Sequence, residues 1–167
     1  TATDDCGNTA TCSATIVVQD ITAPLITCVA QTTPINCPAP PVWNTATATD
    51  ACDMTVAITF SDASTAGTCA GTSSNTRTWT ATDDCGNTAT CSATIVVQDT
   101  TAPLITCVAQ TTPINCPAMP MWNTATATDV CDMTVAITFS DASTAGTCAG
   151  TSSNTRTWTA TDDCGNT

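Results

Sequence analysis

The nine residues TATDDCGNT stand at Thr1, again at Thr80 and again at Thr159, and they set a period of 79 residues that governs the whole chain. Residues 1–88 laid over residues 80–167 differ at four positions: Ile21/Thr100, Pro40/Met119, Val42/Met121 and Ala51/Val130. Self-similarity at a fixed period is the mark of repeat architecture, so one fold has to serve both periods. The expected organisation is a window on a longer tandem array. Residues 1–20 read as the C-terminal strands of a preceding repeat, 21–98 as a complete repeat, and 99–167 as a repeat lacking its last strand.

Within a period the signals are those of strands. The run Ala23–Cys28 is short and apolar, with its strand residues following Pro24. Val42–Asp50 alternates Trp43, Thr45, Thr47 and Thr49 against Val42, Asn44, Ala46 and Ala48, and Met54–Ser61 follows as a further strand. Asn75–Asp83 sets Arg77, Trp79 and Ala81 against Thr76, Thr78, Thr80 and Thr82, and Asn87–Gln98 closes the unit. Period-two alternation is a strand signal. The DCGN segment between the last two runs predicts a tight hairpin, with Gly86 free to take positive φ. No stretch carries ten residues of helical periodicity. The expected class is all-β: tandem immunoglobulin-like β-sandwich repeats stapled by disulfides.

Staples are needed because each period holds one Phe and two Trp, a thin core for 79 residues. The chain has 13 Cys, no His and no CxxC pair, which favours disulfides in an oxidising compartment over zinc. Six cysteines per period allow fifteen pairings, and sandwich geometry has to choose. First and last strands lie side by side in such a sandwich, predicting Cys28–Cys91. Two loops at one end predict Cys52–Cys85, and Cys37–Cys69 remains. The second period gives Cys116–Cys148 and Cys131–Cys164. Cys6, Cys12 and Cys107 are left with partners outside the window.

All fourteen acids are Asp, there is no Lys or Glu, and the net charge is −12. That balance argues against nucleic acid and anionic membrane surfaces as partners, and no apolar run is long enough for a membrane span. Asp20, Asp50, Asp53, Asp83 and Asp84 are expected to converge where one module meets the one before it. Asp99, Asp129, Asp132, Asp162 and Asp163 repeat the set. Two readings compete: Ca²⁺, a hard cation taking six to eight oxygens, and turn capping, for which Asp is well suited. Trp43 and Trp79 read as core, and Arg77 as stacked on Trp79 or paired with an Asp. The chain has neither His nor Lys nor Glu to serve as a general base, so no enzyme activity is expected.

Thr80–Cys107, TATDDCGNTATCSATIVVQDTTAPLITC, resembles the hyalin-repeat (HYR-like) immunoglobulin-type modules, above all the cysteine-rich tandem forms in very large surface proteins of Bacteroidetes. The resemblance extends along the whole chain, with DTTAP or DITAP where the family commonly has a double proline. It implies an extracellular or cell-surface array, used as an adhesin, stalk or filament. Its partners would be neighbouring repeats, identical chains and an unidentified surface or glycan. It also implies an O-glycan on Thr100, in the Asp99–Thr101 segment. The alternative function is a β-sandwich module that binds ice or a crystal through the Thr-x-Thr runs, or a glycan at a site the sequence does not place.

Overall fold

The computed structural model describes residues 1–110 and 112–167, and all its regular structure is strand. A minimal hairpin, β1 (Ala2–Thr3) with β2 (Thr9–Ala10), comes first. The six strands of the next period are β3 (Leu25–Thr27), β4 (Ile35–Asn36), β5 (Thr47–Thr49), β6 (Ala57–Ala66), β7 (Ser73–Thr82) and β8 (Thr88–Gln98). They form an antiparallel pair, β3–β5, and a four-stranded sheet in the order β4-β8-β7-β6, in which only β4 runs parallel to its neighbour. The Cys28–Cys91 disulfide joins the end of β3 to the middle of β8.

The long strands follow from the alternation. β7 and β8 pair from Thr82↔Thr88 to Ser73↔Val97 across the Asp83–Asn87 turn, where Gly86 has φ 88°. Trp79, Ala81, Ile95 and Val97 point to one side and are at most 7% exposed. The other side of the sheet carries Thr and Ser. Trp43 meets Trp79 edge to face, with centroids 5.9 Å apart, a favoured aromatic geometry. Arg77 does not stack on Trp79 as one expectation had it. Its guanidinium lies 3.8 Å from the centre of Phe60 and 5.2 Å from that of Trp43, and makes two 2.6 Å bonds to Asp62.

Beyond the shift of the expected Met54–Ser61 strand to Ala57–Ala66, two features depart from the strand expectations. The alternation from Val42 to Asp50 does not run through: regular pairing covers Thr47–Thr49 alone, with Ala46 buried and Val42 exposed. Pro40 and Pro41 precede it and offer no N–H. Asn44 also turns its N–H to the Gln31 side chain and its own amide to the Ala30 carbonyl, away from any ladder. The second departure is β4, two residues between Pro34 and Pro38, whose peptide bonds are both cis. So short a strand leaves no periodic trace.

The next period repeats part of this plan 79 residues on. β9 (Leu104–Thr106), β10 (Thr126–Thr128), β11 (Ala136–Ala145) and β12 (Ser152–Thr161) match β3, β5, β6 and β7. Registers are conserved as well, Phe60↔Trp79 becoming Phe139↔Trp158. Among the described residues β11 and β12 form a sheet of two strands, and no helix is long and apolar enough to cross a membrane.

Candidate functional site

One set of chemistry-bearing residues gathers where the two periods meet. From the first come the loop before β5 with Cys37, the turn Gly67–Thr72 between β6 and β7, and Asp99 after β8. From the second come the Asp129–Asp132 turn and the hairpin Asp162–Asn166. Two disulfides cross the boundary, Cys37–Cys131 and Cys69–Cys164. The Ala70 N–H donates to both carboxylate oxygens of Asp163, at 3.0 and 3.1 Å. Gly71 has φ +71°, and a Cβ there would stand 2.7 Å from Cys37 Sγ and 2.9 Å from Cys131 Cβ, so only glycine fits.

These bonds correct the expected pairings. Cys37–Cys69 and Cys131–Cys164 do not form, because each of the four cysteines is bonded across the boundary instead. The expectation treated every repeat as closed. In the structure the Cys37 and Cys69 loops at one end of a unit abut the Cys131 and Cys164 loops of the next. Cys52–Cys85 and Cys116–Cys148 do not form either; all four are exposed thiols, as are Cys6, Cys12 and Cys107. The Asp20 charge, then burial, then Asp50 push the Cys52 thiol up.

The aspartates do come together, though as hydrogen-bond acceptors rather than as one cage. Asp50 Oδ1 accepts from the N–H of Cys52 and Asp53. Asp53 accepts from Thr55 N–H through Oδ1 and from Asp84 N–H through Oδ2. Asp83 takes the backbone N–H and side-chain amide of Asn87 at 2.7 and 2.8 Å, and that amide also reaches the Asp20 carbonyl at 3.3 Å. Asp84 joins through its N–H and leaves its carboxylate exposed. Asp20 and Asp50 bring carboxylate oxygens together, beside Cys52 Sγ and all within 4.8 Å of one another.

The second set repeats the pattern, with one addition. Asp129 caps Cys131 and Asp132, Asp132 accepts from Thr134 and from Asp163 N–H, and Asn166 bonds Asp162 and the Asp99 carbonyl. Asp99 and Asp129 approach each other within 4.8 Å. Asp99 is 7% exposed, and its Oδ2 has no hydrogen-bond partner among the described residues. Burial pushes the Asp83 and Asp162 carboxyls up, but the Asn87 and Asn166 side-chain and backbone N–H groups, with the turn amides, outweigh it and hold both below the usual range. Asp132 is held low first by the Thr134 N–H.

No protein-family model matches the chain, and no curated protein matches it significantly. Ala70, Gly71 and Asn166 belong to the junction and Asn87 to the matching turn beside Asp20, and nothing in the strand pattern marks them. A linker contact adds to it: Asn36 Oδ1 accepts from the Thr100 N–H and hydroxyl, each at 3.0 Å, and Asn36 Nδ2 donates to Thr101. Away from the junction, the outer face of the four-stranded sheet aligns Thr59, Thr80 and Thr90 across three strands, then Ser61, Thr78 and Ser92.

Proposed function

We propose that this chain is a segment of an extracellular structural and adhesive array, a rod or filament of HYR-like, immunoglobulin-type β-sandwich modules on or from a bacterial surface. The observation that carries the reading is the pair of disulfides through which the end of one repeat is bonded to the start of the next. Two cystines across one joint oppose both bending and twisting. Near-identity between repeats fits a part whose task is length. The facing of β3–β5 against the four-stranded sheet, bridged by Cys28–Cys91 and the Trp43–Trp79 contact, supports the sandwich. The array works without catalysis, and its ligand is a surface or glycan.

Ca²⁺ belongs to the same reading. The unpartnered, buried Asp99 Oδ2 beside Asp129 supports a cation there, since an uncompensated buried charge is costly. Bound, the ion would stiffen the joint. Small-angle scattering on the intact chain tests both parts. The rod reading expects an extended particle that becomes flexible on reduction, with a smaller loosening under EDTA. A compact or already jointed particle before reduction overturns the rod, and no change under EDTA removes the calcium. Thr100, exposed next to the joint, is the proposed O-glycan carrier, and a bare Thr100 in native material by intact mass would dismiss it.

The aligned hydroxyls favour a second reading, a face for ice or another crystal. Its test is thermal hysteresis or retention on the solid, lost in Thr78→Lys. Sheet twist works against a flat lattice match.

A further inference from the structure

The four-stranded sheet is bounded by two unlike edges. On one side stands β4, two residues long and set between Pro34 and Pro38. On the other stands β6, ten residues from Ala57 to Ala66, every one of them exposed. A free strand edge is a template for another strand, and natural sheets blunt it with short strands, prolines, lysines, bulges or a covering loop. β4 is blunted in that way. β6 holds no proline, lysine or glycine, and its register against β7 runs unbroken from Ala57↔Thr82 to Ala66↔Ser73, without a bulge.

The next unit repeats this edge. β11 has the same ten residues and the same unbroken register against β12, and all but Ile137 are exposed. The unit of β6 has its following neighbour in place, and that of β11 has its preceding one. Among the described residues neither neighbour covers the strand, and β7 and β12 alone pair with β6 and β11. The edge is a property of the repeat.

Its chemistry suits a copy of itself. The single charge of β6, Asp62, is held by Arg77 through two 2.6 Å bonds, and Asp141 of β11 is held by Arg156 in the same way. Neither strand keeps a free charge of the kind that protects an edge. Phe60 and Phe139 stand 59% and 58% exposed beside those pairs. Two antiparallel copies of one strand are related by a twofold axis perpendicular to the sheet, so residues opposite each other come from the same face. Two central registers satisfy this. Asp62 opposite Asp62 brings two carboxylates together, which is unfavourable. Ser61 opposite Ser61 sets Phe60 against Asp62, Thr59 against Ala63, Ile58 against Ser64 and Ala57 against Thr65. Phe60 of each copy then meets the Asp62–Arg77 pair of the other, an aromatic ring beside a guanidinium.

We propose that copies of this chain associate side by side through β6 and β11, the strand AITFSDASTA of one copy pairing antiparallel with AITFSDASTA of another about Ser61 or Ser140. Two units joined through β6 share one sheet of eight strands, β4-β8-β7-β6 continued by β6-β7-β8-β4. The new ladder pairs the outward backbone N–H and C=O groups of both edges, and each repeat supplies one such edge. Against it stands the net charge of −12 on every copy, a repulsion that salt screens. The inference goes beyond the rod reading and does not rest on it, since the pairing needs only one unit from each copy.

The test uses the intact, oxidised 167-residue chain, its exposed thiols capped with iodoacetamide so that no new disulfide forms. Sedimentation equilibrium should give a mass that rises from 16.9 kDa with concentration, and rises further from low to high salt. Ser61→Lys with Ser140→Lys sets lysine opposite lysine at the axis, and Ser61→Asp with Ser140→Asp sets aspartate opposite aspartate. The first pair of changes makes the chain less negative and the second makes it more so, yet each should weaken association about tenfold or more. Mixed in equal amounts, the two variants should associate again, because lysine then faces aspartate. Ser61 and Ser140 are exposed on the hydroxyl-bearing face, so both variants should melt as the original chain does. A chain that stays monomeric at millimolar concentration leaves the edge to an unlike strand and overturns the proposal. So does a Lys or Asp double variant that associates as the original does, or a mixture of the two that stays monomeric. A monomer that is stiff and extended in scattering would still leave the rod reading standing, so the two fail separately.

Discussion

Residues 21–88 and 100–167 are the same sequence at all but four positions, yet they do not reach the same structure. In the first, Ile35 and Asn36 form β4, Cys37 is buried, Trp79 is 4% exposed and Cys28 is bonded. In the second, the matching Ile114 is 42% exposed, Cys116 and Cys107 are free thiols, and Trp158 is only half-buried. The four substitutions do not explain this, for Ile21, Val42, Met119, Met121 and Val130 are all at least 67% exposed. Cys37 is held by Cys131 of the next unit, and the other differences trace to β8. It pairs with β7 on one side and β4 on the other, and carries Cys91 and Ile95. What both halves share is local: the β6–β7 hairpin and its copy β11–β12, with identical Arg–Asp pairs. Pairing between sequence neighbours needs no third strand, whereas β4 and the buried tryptophan do.

The largest test of that contrast is on the tryptophans. Trp79→Ala should cost the first unit about 3–5 kcal/mol, in the range for a large buried aromatic. Trp158→Ala should cost clearly less, because its ring has already lost one wall. Hydrogen exchange resolved by peptide would report each unit separately. Equal losses would mean that β8 does not complete the core.

Next comes the cystine. Cys28→Ser with Cys91→Ser opens a closure of 63 residues, and should destabilise the first unit by about 4 kcal/mol at most on the chain-entropy estimate. Cys107→Ser removes a thiol without a partner and should leave the monomer's melting temperature unchanged. A large loss on Cys107→Ser in the monomer would show that the thiol is engaged.

Much of this architecture could be read from residue pattern. Thr/apolar alternation marks β6, β7 and β8, and the glycine of DCGN marks the turn between the last two, because these depend on residues close in sequence. The two-residue β4 and the ragged stretch from Val42 to Ala46 could not be read. They are decided by prolines and by the Asn44–Gln31 contacts, which leave no periodicity. The cross-boundary cystines were hidden for another reason. Whether Cys37 meets Cys69 or Cys131 depends on how two ends abut, and six equivalent thiols per period carry no information about that. The aspartates were legible as a cluster but not in their role, since side-chain amides and backbone N–H groups two to four residues away already occupy about half of their oxygens, and N–H groups far along the chain take others.

A smaller effect should be equal in both halves. Asp83 and Asp162 titrate below the usual carboxylate range in the folded chain. A depressed folded value contributes stability above the unfolded value, and that contribution is lost as pH falls through the folded one. Melting temperature should therefore be flat above about pH 5 and fall below about pH 4. Asp83→Asn and Asp162→Asn should each flatten the acid limb to the same degree, because both turns are closed by the same Asn contacts at 2.7–2.8 Å. A one-sided effect would mean that these turns, too, depend on β8.

The smallest effect bears on the hairpins themselves. Arg77 and Arg156 each bond an Asp on the facing strand through two nitrogens at 2.6 Å and lie 3.8 and 3.7 Å from a Phe ring centre. Lysine keeps the charge but has neither the planar fork nor the flat face that stacks. Arg77→Lys and Arg156→Lys should each weaken their hairpin slightly, as a reduced span of slow-exchanging amides along β6–β7 and β11–β12. The two reductions should be alike, because the partners of each Arg lie within its own hairpin or, for Trp43 and Trp122, on the segment before it. Exchange measured on both single variants decides the point. If Arg156→Lys frays β11–β12 much further than Arg77→Lys frays β6–β7, the hairpin is not self-sufficient, and the third strand supports even the part of the repeat that both halves share.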